Sequence, residues 1–293
     1  MTDTPTTTNN QQKLVGRMSK EPRLAGKVCF ISGAARGFGQ AIAIRFVEEG
    51  AKVVLFDLLT CGETLDYIQS IEGFAENNNK IDDVALCCYC DITQEGSIQA
   101  MVTTASQKFT TANTQYILVN NAAQFIFKSV EDATADDWDQ SCAVNIKGHA
   151  LVTKHVLPLM KQSNCGGSII FMGSISSFLG QPHCATYATM KAALVQMTRN
   201  CAYDFANYSI RVNAVCAGTI ETPISRQERL KQNWTYEEWE RMKIKDVMMK
   251  RVGHVREIAN ATLFYASDES SYCTGGYLMV DGGQTACTVM MAD

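Results

Sequence analysis

The 293-residue chain lacks any apolar run that approaches the about 20 residues needed to cross a bilayer, so we expect no membrane-spanning segment. It also lacks a long basic run, and its formal net charge is −4 at pH 7. Binding to a nucleic acid draws on an excess of positive charge. We therefore expect no nucleic-acid partner and no membrane partner, and we look for a small-molecule ligand instead.

The first residues have few apolar side chains. The opening stretch MTDTPTTTNNQQ is rich in Thr, Asn and Gln, a composition that does not support a packed core. We therefore predict a flexible tail over residues 1–24. The tail has no apolar segment of the kind that a secretory signal needs, although Lys13, Arg17, Lys20 and Arg23 leave a weak organelle-targeting interpretation open.

Signals for disulfides and metals are also weak, although the chain contains 12 cysteines. These cysteines are scattered through apolar segments, which favours reduced, buried thiols and a cytoplasmic location. Cys87 and Cys90 have the C-x-x-C spacing, but no second pair and no nearby histidine accompanies them. We therefore expect no metal site.

Short, β-branched apolar runs alternate with longer helical patterns along the chain. The strand candidates are residues 27–32, 51–57, 83–91, 116–120, 168–173, 210–216 and 276–282. The stretches between them are long enough for a helix that crosses back over a sheet. This alternation predicts one α/β domain over residues 25–293, in which a parallel sheet of about seven strands is covered by helices on both faces.

Residues 219–250 differ in composition from the rest of the domain. The segment is polar and charged, and it carries Trp234, Tyr236 and Trp239. We predict a long helical insertion before the last strand, with the role of a lid over the substrate.

A glycine-rich loop follows the first strand candidate and leads into an amphipathic helix pattern. Gly33, Gly37 and Gly39 give the spacing G-x-x-x-G-x-G, and Asp57 ends the next strand eighteen residues after Gly39. Glycines let the backbone approach a pyrophosphate, and a helix N-terminus supplies free N–H groups. The acid after the second strand is suited to ribose hydroxyls, so the pattern predicts a dinucleotide site.

Tyr187 and Lys191 are four positions apart within the stretch TYATMKAAL. In a helix they would lie on one face, one turn apart, so Lys191 could favour the ionised form of the Tyr187 phenol. An isolated pair of this kind ordinarily consists of a packed tyrosine and a lysine that extends to solvent. Its interpretation therefore depends on the other motifs.

Together the motifs resemble those of the classical short-chain dehydrogenase/reductase family, over residues 25 to about 285. SGAARGFG resembles T-G-x-x-x-G-x-G, with Ser32 in place of threonine, and NNAA at 120–123 resembles N-N-A-G, with Ala123 in place of the glycine. CAGTIETP resembles P-G-x-x-x-T, with Ala217 in place of proline, and DGG at 281–283 resembles the end of the family's late strand. Ser174 lies thirteen residues before Tyr187, the usual interval in the family.

The resemblance implies a single doubly wound Rossmann-type domain and four catalytic residues. Tyr187 would exchange a proton with the substrate oxygen, and Ser174 would hydrogen-bond that oxygen. Lys191 would lower the pKa of the tyrosine and bind the nicotinamide ribose. Asn145 would hold a water that links Lys191 to solvent.

The resemblance also implies a set of cofactor-binding residues and a choice of cofactor. Asp57 favours NAD, whereas Arg36 favours NADP but has no second basic residue beside it, which leaves a pairing with Asp57 open. We expect NAD. The implied cofactor-binding residues are Gly33, Arg36, Gly37, Phe38, Gly39, Asp57, Asp91, Ile92, Asn121, Ala122, Tyr187, Lys191, Gly218, Ile220 and Thr222. Candidate substrate-pocket residues are Gln124, Gln181, His183 and Cys184.

The predicted function is hydride transfer between NAD(H) and a secondary alcohol or ketone. Alternatives are an NADP-dependent carbonyl reductase, a non-catalytic nucleotide-binding scaffold, and a sugar-nucleotide epimerase, whose glycine loop typically has a different spacing. The substrate class stays open. The resemblance further implies a homotetramer or homodimer built on the helices around 134–162 and 183–208.

Overall fold

Seven parallel strands form one sheet at the centre of the molecule. The computed structural model describes residues 14–77, 79–111, 113–231 and 233–286. The strands are β1 (Val28–Ser32), β2 (Lys52–Asp57), β3 (Ala85–Tyr89), β4 (Tyr116–Asn120), β5 (Gly167–Ser174), β6 (Ile210–Ala217) and β7 (Tyr277–Val280). Their order in the sheet is β3-β2-β1-β4-β5-β6-β7, and every neighbouring pair is parallel. The predicted seven-stranded parallel sheet is therefore confirmed.

The strands are apolar throughout because both faces of the sheet are covered. Every residue of β1, β4 and β5 is buried, which explains why these strands are continuous apolar runs rather than alternating ones. Phe30 packs with the core on one face of the sheet and Ile31 with the core on the other. Successive side chains of a strand thus supply two separate hydrophobic cores.

Two layers of helices enclose the sheet. The helices are α1 (Gly37–Glu48), α2 (Gly62–Gln69), α3 (Ile81–Val84), α4 (Glu95–Phe109), α5 (Ala135–Cys142), α6 (His149–Ser163), α7 (Ala185–Phe205), α8 (Pro223–Lys231), α9 (Tyr236–Lys243) and α10 (Val255–Ala266). Apolar residues of α1, α2 and α10 belong to one core, and those of α4, α6 and α7 belong to the other. This is the predicted doubly wound, Rossmann-type arrangement. Among the described helices, none has both the length and the apolar character required to cross a membrane.

The strand order reverses between β1 and β4. The chain winds from β1 outward to β3, then returns to pair β4 with the other side of β1. At such a point the loops that follow the two strands diverge, and a crevice opens at their carboxyl ends. The fold therefore places a binding site beside the glycine loop that follows β1.

Residues 14–24, which we expected to be part of a flexible tail, pack against the C-terminal end of α1. Leu14 and Leu24 are buried, and the Gly16 N–H donates a 2.6 Å hydrogen bond to the Glu48 carboxylate. Arg23 forms a 2.8 Å ion pair with Glu49. Residues 14–24 are thus part of the folded unit, because these apolar and basic side chains meet buried partners at the end of α1. The prediction for residues 1–13 lies outside the described residues.

The segment 219–250 contains two short helices, α8 and α9, rather than one long one. Helix α9 begins at a capping box in which Thr235 and Glu238 each accept the backbone N–H of the other. Trp239 on α9 is almost fully buried and faces the crevice. The aromatic residue thus anchors the segment beside the predicted site.

Candidate active site

A cleft of about 570 Å³ lies at the carboxyl ends of strands β1 to β6. It is lined by most of the residues predicted from the sequence, namely Gly33, Arg36, Gly37, Phe38, Asp57, Asp91, Ile92, Asn121, Ala122, Ser174, Gln181, Cys184, Tyr187, Lys191, Gly218, Ile220 and Thr222. Four predicted residues do not line it: Gly39, Gln124, Asn145 and His183. The fold thus joins the predicted cofactor and catalytic residues in one continuous space.

The glycine loop is tied closely to the end of β4. Gly33 has φ of 65°, and a Cβ there would lie 2.9 Å from the Ala122 Cα. A Cβ on Gly39 would overlap the Gly33 carbonyl oxygen, so this glycine is needed for close packing within the loop rather than for contact with a ligand. The Ser32 hydroxyl accepts hydrogen bonds from the N–H groups of Asn121 (2.8 Å) and Ala122 (3.0 Å). Serine thus joins β1 to β4 at the position where the family pattern has threonine.

Asp57 is held by backbone groups on both sides. One carboxylate oxygen accepts the Ala35 N–H and the other accepts the Leu59 N–H, each at 3.0 Å. The side chain of Arg36 is exposed and forms no ion pair with a residue in the described part of the chain. The pairing of Arg36 with Asp57 that the sequence left open is therefore not formed. The carboxylate lies at the edge of the cleft, where its position is set by the glycine loop.

The donor set of this half of the cleft fits a nicotinamide dinucleotide. The N-terminus of α1 at Gly37 opens onto the cleft and offers free N–H groups to a pyrophosphate. Asp57 offers acceptor oxygens to ribose hydroxyls. Lys191, which lines the same cleft, offers a hydrogen-bond donor. Within the described residues, no group of three or more His, Cys, Asp or Glu side chains is arranged to hold a metal ion.

Ser174, Tyr187 and Lys191 meet where β5 ends and α7 begins. All three are buried, and Ser174 is close enough to the Tyr187 phenol to influence its pKa. Lys191 Nζ lies 5.7 Å from the centre of the Tyr187 ring and donates a 2.6 Å hydrogen bond to the Met172 carbonyl. The helical spacing predicted for the tyrosine and the lysine is present, and it directs both side chains to the same end of the sheet.

Burial dominates the electrostatics of this group. It raises the pKa of the Tyr187 phenol above its ordinary value, although the neighbouring Ser174 acts in the opposite direction. It also lowers the pKa of the Lys191 ammonium to about 8. We expected Lys191 to lower the pKa of Tyr187, but burial outweighs any such effect in this site. The phenol is therefore held in its protonated form.

Asn145 lies behind the cleft rather than in its wall. It is fully buried in a π-helical turn, 143–148, between α5 and α6. Its amide clamps the backbone of Gln124, accepting the N–H at 3.1 Å and donating to the carbonyl at 2.9 Å. The clamp fixes the segment that follows β4 and carries part of the cleft wall.

Two of the predicted substrate-pocket residues lie away from the cleft. The Gln124 side chain donates a 3.1 Å hydrogen bond to Gln140. His183 is exposed and has a positive φ of 54°. Gln181 and Cys184 remain in the cleft wall.

Sequence reasoning missed an aromatic wall beside Tyr187. The Phe125 ring stacks on the Tyr187 ring with 4.4 Å between centroids, and Phe127 stacks on Phe125 at 5.9 Å. Both phenylalanines line the cleft. The signal was the alternation in QFIF after β4, because alternate residues of an extended segment share a face.

His149 was also not expected at the site. It is fully buried on α6, and its Nε2 is 2.8 Å from the Ala122 carbonyl oxygen. Burial and the positive charge of Lys191 lower the pKa of His149 to about 3. The imidazole is therefore neutral, and it supports the backbone of the cleft wall at Ala122.

Comparisons with known proteins agree with this geometry. The family model described as enoyl-(acyl carrier protein) reductase matches residues 33–285. The chain is 38% identical over 265 residues to trans-4-hydroxycyclohexanecarboxylate dehydrogenase of Sinomonas cyclohexanicum, covering 90% of this chain and 95% of the relative. It is 36% identical over 272 residues to the NADP-dependent (R)-specific alcohol dehydrogenase of Lentilactobacillus kefiri, covering 90% and 98%. The crystal structure of levodione reductase superimposes with a TM-score of 0.80 at 28% identity, covering 91% of this chain and all of that one.

Proposed function

The chain belongs to the classical short-chain dehydrogenase/reductase family of oxidoreductases, and from this premise we propose that it transfers a hydride between NAD(H) and a secondary alcohol or ketone. The observation that carries the proposal is the meeting of Ser174, Tyr187 and Lys191 in the cleft that also contains the glycine loop and Asp57. A proton donor, a hydrogen-bond donor and a cation converge beside a dinucleotide site.

The residues of this chain handle the proton and the substrate oxygen. Tyr187 holds a proton at its phenol oxygen, since burial keeps its pKa high, and gives that proton to a ketone oxygen in the direction of reduction. With a substrate bound, the Ser174 hydroxyl turns from the Ser176 oxygen and donates its hydrogen bond to the same substrate oxygen as negative charge develops there. Lys191 supplies positive charge from beneath the Tyr187 ring. When bound, the nicotinamide supplies or accepts the hydride.

The preference for NAD rests on Asp57. A carboxylate at the end of β2 accepts ribose hydroxyls and repels a 2′-phosphate. The residues that follow it, Leu58, Leu59 and Thr60, provide no positive charge. Arg36 and the NADP dependence stated in the name of one relative favour the alternative, an NADP-dependent reductase. We give greater weight to the acid, because it lies in the cleft wall and is held in place by two backbone hydrogen bonds.

We propose further that α8 and α9 form a lid, that the protein is a homodimer or homotetramer, and that it is cytoplasmic. The lid is supported by Trp239 and Lys243, which reach the cleft from α9.

The proposed assembly is supported by Tyr203 on α7, which is 87% exposed. Light scattering at micromolar concentration would contradict the proposed assembly if it returned the mass of one chain.

The experiment that tests the function is turnover followed at the absorbance of reduced nicotinamide. The panel contains secondary alcohols and ketones, including trans-4-hydroxycyclohexanecarboxylate, each with NAD and with NADP. We expect turnover by the wild type and none by Tyr187→Phe. Tight cofactor binding without turnover of any compound would favour the non-catalytic scaffold instead.

A further inference from the structure

A chain of hydrogen bonds leads from Ser174 to Gln181. The Ser174 hydroxyl donates to the Ser176 hydroxyl oxygen at 3.1 Å, and the Ser176 N–H donates back to the Ser174 oxygen at 3.1 Å. The Ser176 hydroxyl then donates to the Gln181 carbonyl oxygen Oε1. Ser176 is buried, whereas Gln181 is exposed to the cleft that also holds Ser174 and Tyr187. The buried serine thus links the Ser174 hydroxyl to a polar side chain in the cleft wall.

This chain determines which way the Gln181 amide faces. Its oxygen is occupied by Ser176, so its two N–H donors are turned away from that serine. No residue in the described part of the chain accepts a hydrogen bond from Gln181 Nε2. The donors are therefore available to a molecule in the cleft, whose wall Gln181 shares with Ser174.

We propose that Gln181 is a specificity-determining residue that binds a second oxygen of the substrate, and that Ser176 is a positioning residue that orients it. The inference rests on the proposed function, in which Ser174 holds the reacting oxygen. An acceptor reached by Gln181 Nε2 then belongs to a carbon other than the reacting one. The substrate class is thus a diol or a hydroxy ketone, for which a vicinal diol serves as the probe.

The aromatic wall suits the carbon frame of such a substrate. Phe125 and Phe127 line the cleft beside Tyr187, so a ring or short chain meets an apolar surface while its second oxygen meets Gln181. A site that donates hydrogen bonds to a substrate oxygen disfavours the analogue that lacks it, because the donors are then left unpaired.

The test compares trans-cyclohexane-1,2-diol with cyclohexanol, each with saturating NAD. We expect the wild type to prefer the diol. Gln181→Met should lower kcat/KM for the diol about tenfold and leave cyclohexanol unchanged, because the donors are lost while the volume is kept. Gln181→Glu should lose the same preference, since a carboxylate still accepts from Ser176 but donates nothing. The matched control is Gln196→Met, at an exposed position on α7 whose side chain bonds Asn200.

A second set of variants tests the positioning role of Ser176. Ser176→Ala should reduce both the preference for the diol over cyclohexanol and the affinity for the diol, because the Gln181 amide oxygen loses the hydroxyl that orients it. Ser176→Thr, which keeps the hydroxyl, should restore both. A binding readout independent of turnover is titration calorimetry of the diol into the protein saturated with NADH, where Gln181→Met should weaken binding about tenfold.

The outcomes separate this inference from the proposed function. If the wild type turns over both alcohols and Gln181→Met leaves the ratio of diol to cyclohexanol turnover unchanged, the inference alone is contradicted. Equal diol binding by the wild type and by Gln181→Met contradicts it as well. A wild type that neither binds NAD(H) nor turns over either alcohol contradicts both. Unchanged turnover of cyclohexanol by Gln181→Met also shows that this variant is folded.

Discussion

Lys191 Nζ donates a 2.6 Å hydrogen bond to the carbonyl oxygen of Met172, two residues before Ser174 on β5. The ammonium is 2% exposed, and no carboxylate in the described part of the chain forms an ion pair with it. The lysine is thus fixed to the strand that carries the serine, while the tyrosine lies one turn away on the same helix. This hydrogen bond therefore ties the helix that carries Tyr187 and Lys191 to the strand that carries Ser174.

The first prediction concerns the proton. Tyr187→Phe should lower kcat below a few per cent of the wild-type value, because it removes the only proton carrier proposed for the substrate oxygen. Cofactor affinity should stay within about threefold, since little surface is lost. Lys191→Met should damage both turnover and cofactor binding, and isothermal titration with NADH measures the difference. Substantial residual turnover by the phenylalanine variant would show that another group transfers the proton.

The second prediction concerns the buried ammonium. In the folded protein the pKa of Lys191 is lowered to about 8 from an ordinary value of 10.5. Between these values the unfolded chain binds a proton that the folded protein does not, so stability rises with pH. The free energy of unfolding of the wild type, minus that of Lys191→Met, should therefore increase from about pH 8 to pH 10, by up to about 1.4 kcal/mol per pH unit. Urea denaturation across that window measures it, and a flat difference would contradict the burial argument.

The sheet and the glycine loop could be predicted from the sequence, because each leaves a local pattern. Buried parallel strands are continuous apolar runs, and close backbone contacts require glycine at positions such as 33 and 39. Which side chains face the cleft after β4 could not be predicted, since that depends on how the extended segment is rotated. Ala123, Phe125 and Phe127 face the cleft, whereas Gln124 between them points away. Polar chemistry alone favours Gln124 as a pocket residue, whereas the alternation of the extended segment places Phe125 and Phe127 in the cleft wall.

The third prediction concerns acid stability. Burial lowers the pKa of His149 to about 3, against 6.5 for an ordinary histidine. Below about pH 6.5 the unfolded chain gains a proton that the folded protein does not accept until about pH 3, so stability is lost as the pH falls through that window. His149→Gln should show a shallower loss of unfolding free energy over the same range. Parallel slopes for the two proteins in urea titrations would mean that the imidazole does not contribute.

The fourth prediction concerns thiol reactivity. Cys87 is exposed on β3, and the neighbouring buried Cys61 thiol lowers its pKa to about 6. Iodoacetamide should therefore label Cys87 before Cys142, which is also exposed, with a half-maximal rate near pH 6. Cys61→Ala should move that midpoint upward. Peptide mass spectrometry follows both sites, and a wild-type midpoint near the ordinary thiol value of 9.0 would contradict the proposed contact.

The last prediction concerns the choice of cofactor. The two oxygens of Asp57 are held by the N–H groups of Ala35 and Leu59, so the carboxylate cannot easily turn away from a 2′-phosphate. At an effective dielectric of about 20, repulsion at close range amounts to several kcal/mol. Arg36, in the glycine loop, offers a positive charge in the cleft lining, and it is exposed to screening by solvent. We therefore expect the wild type to have a higher kcat/KM with NAD, and Asp57→Ala to shift the ratio toward NADP by at least about tenfold. Arg36→Ala in the Asp57→Ala background should reverse part of that shift, because the phosphate then loses the cation of the glycine loop. Wild-type preference for NADP would contradict the assignment of NAD, whereas an unchanged ratio in Asp57→Ala would show that another residue selects the cofactor.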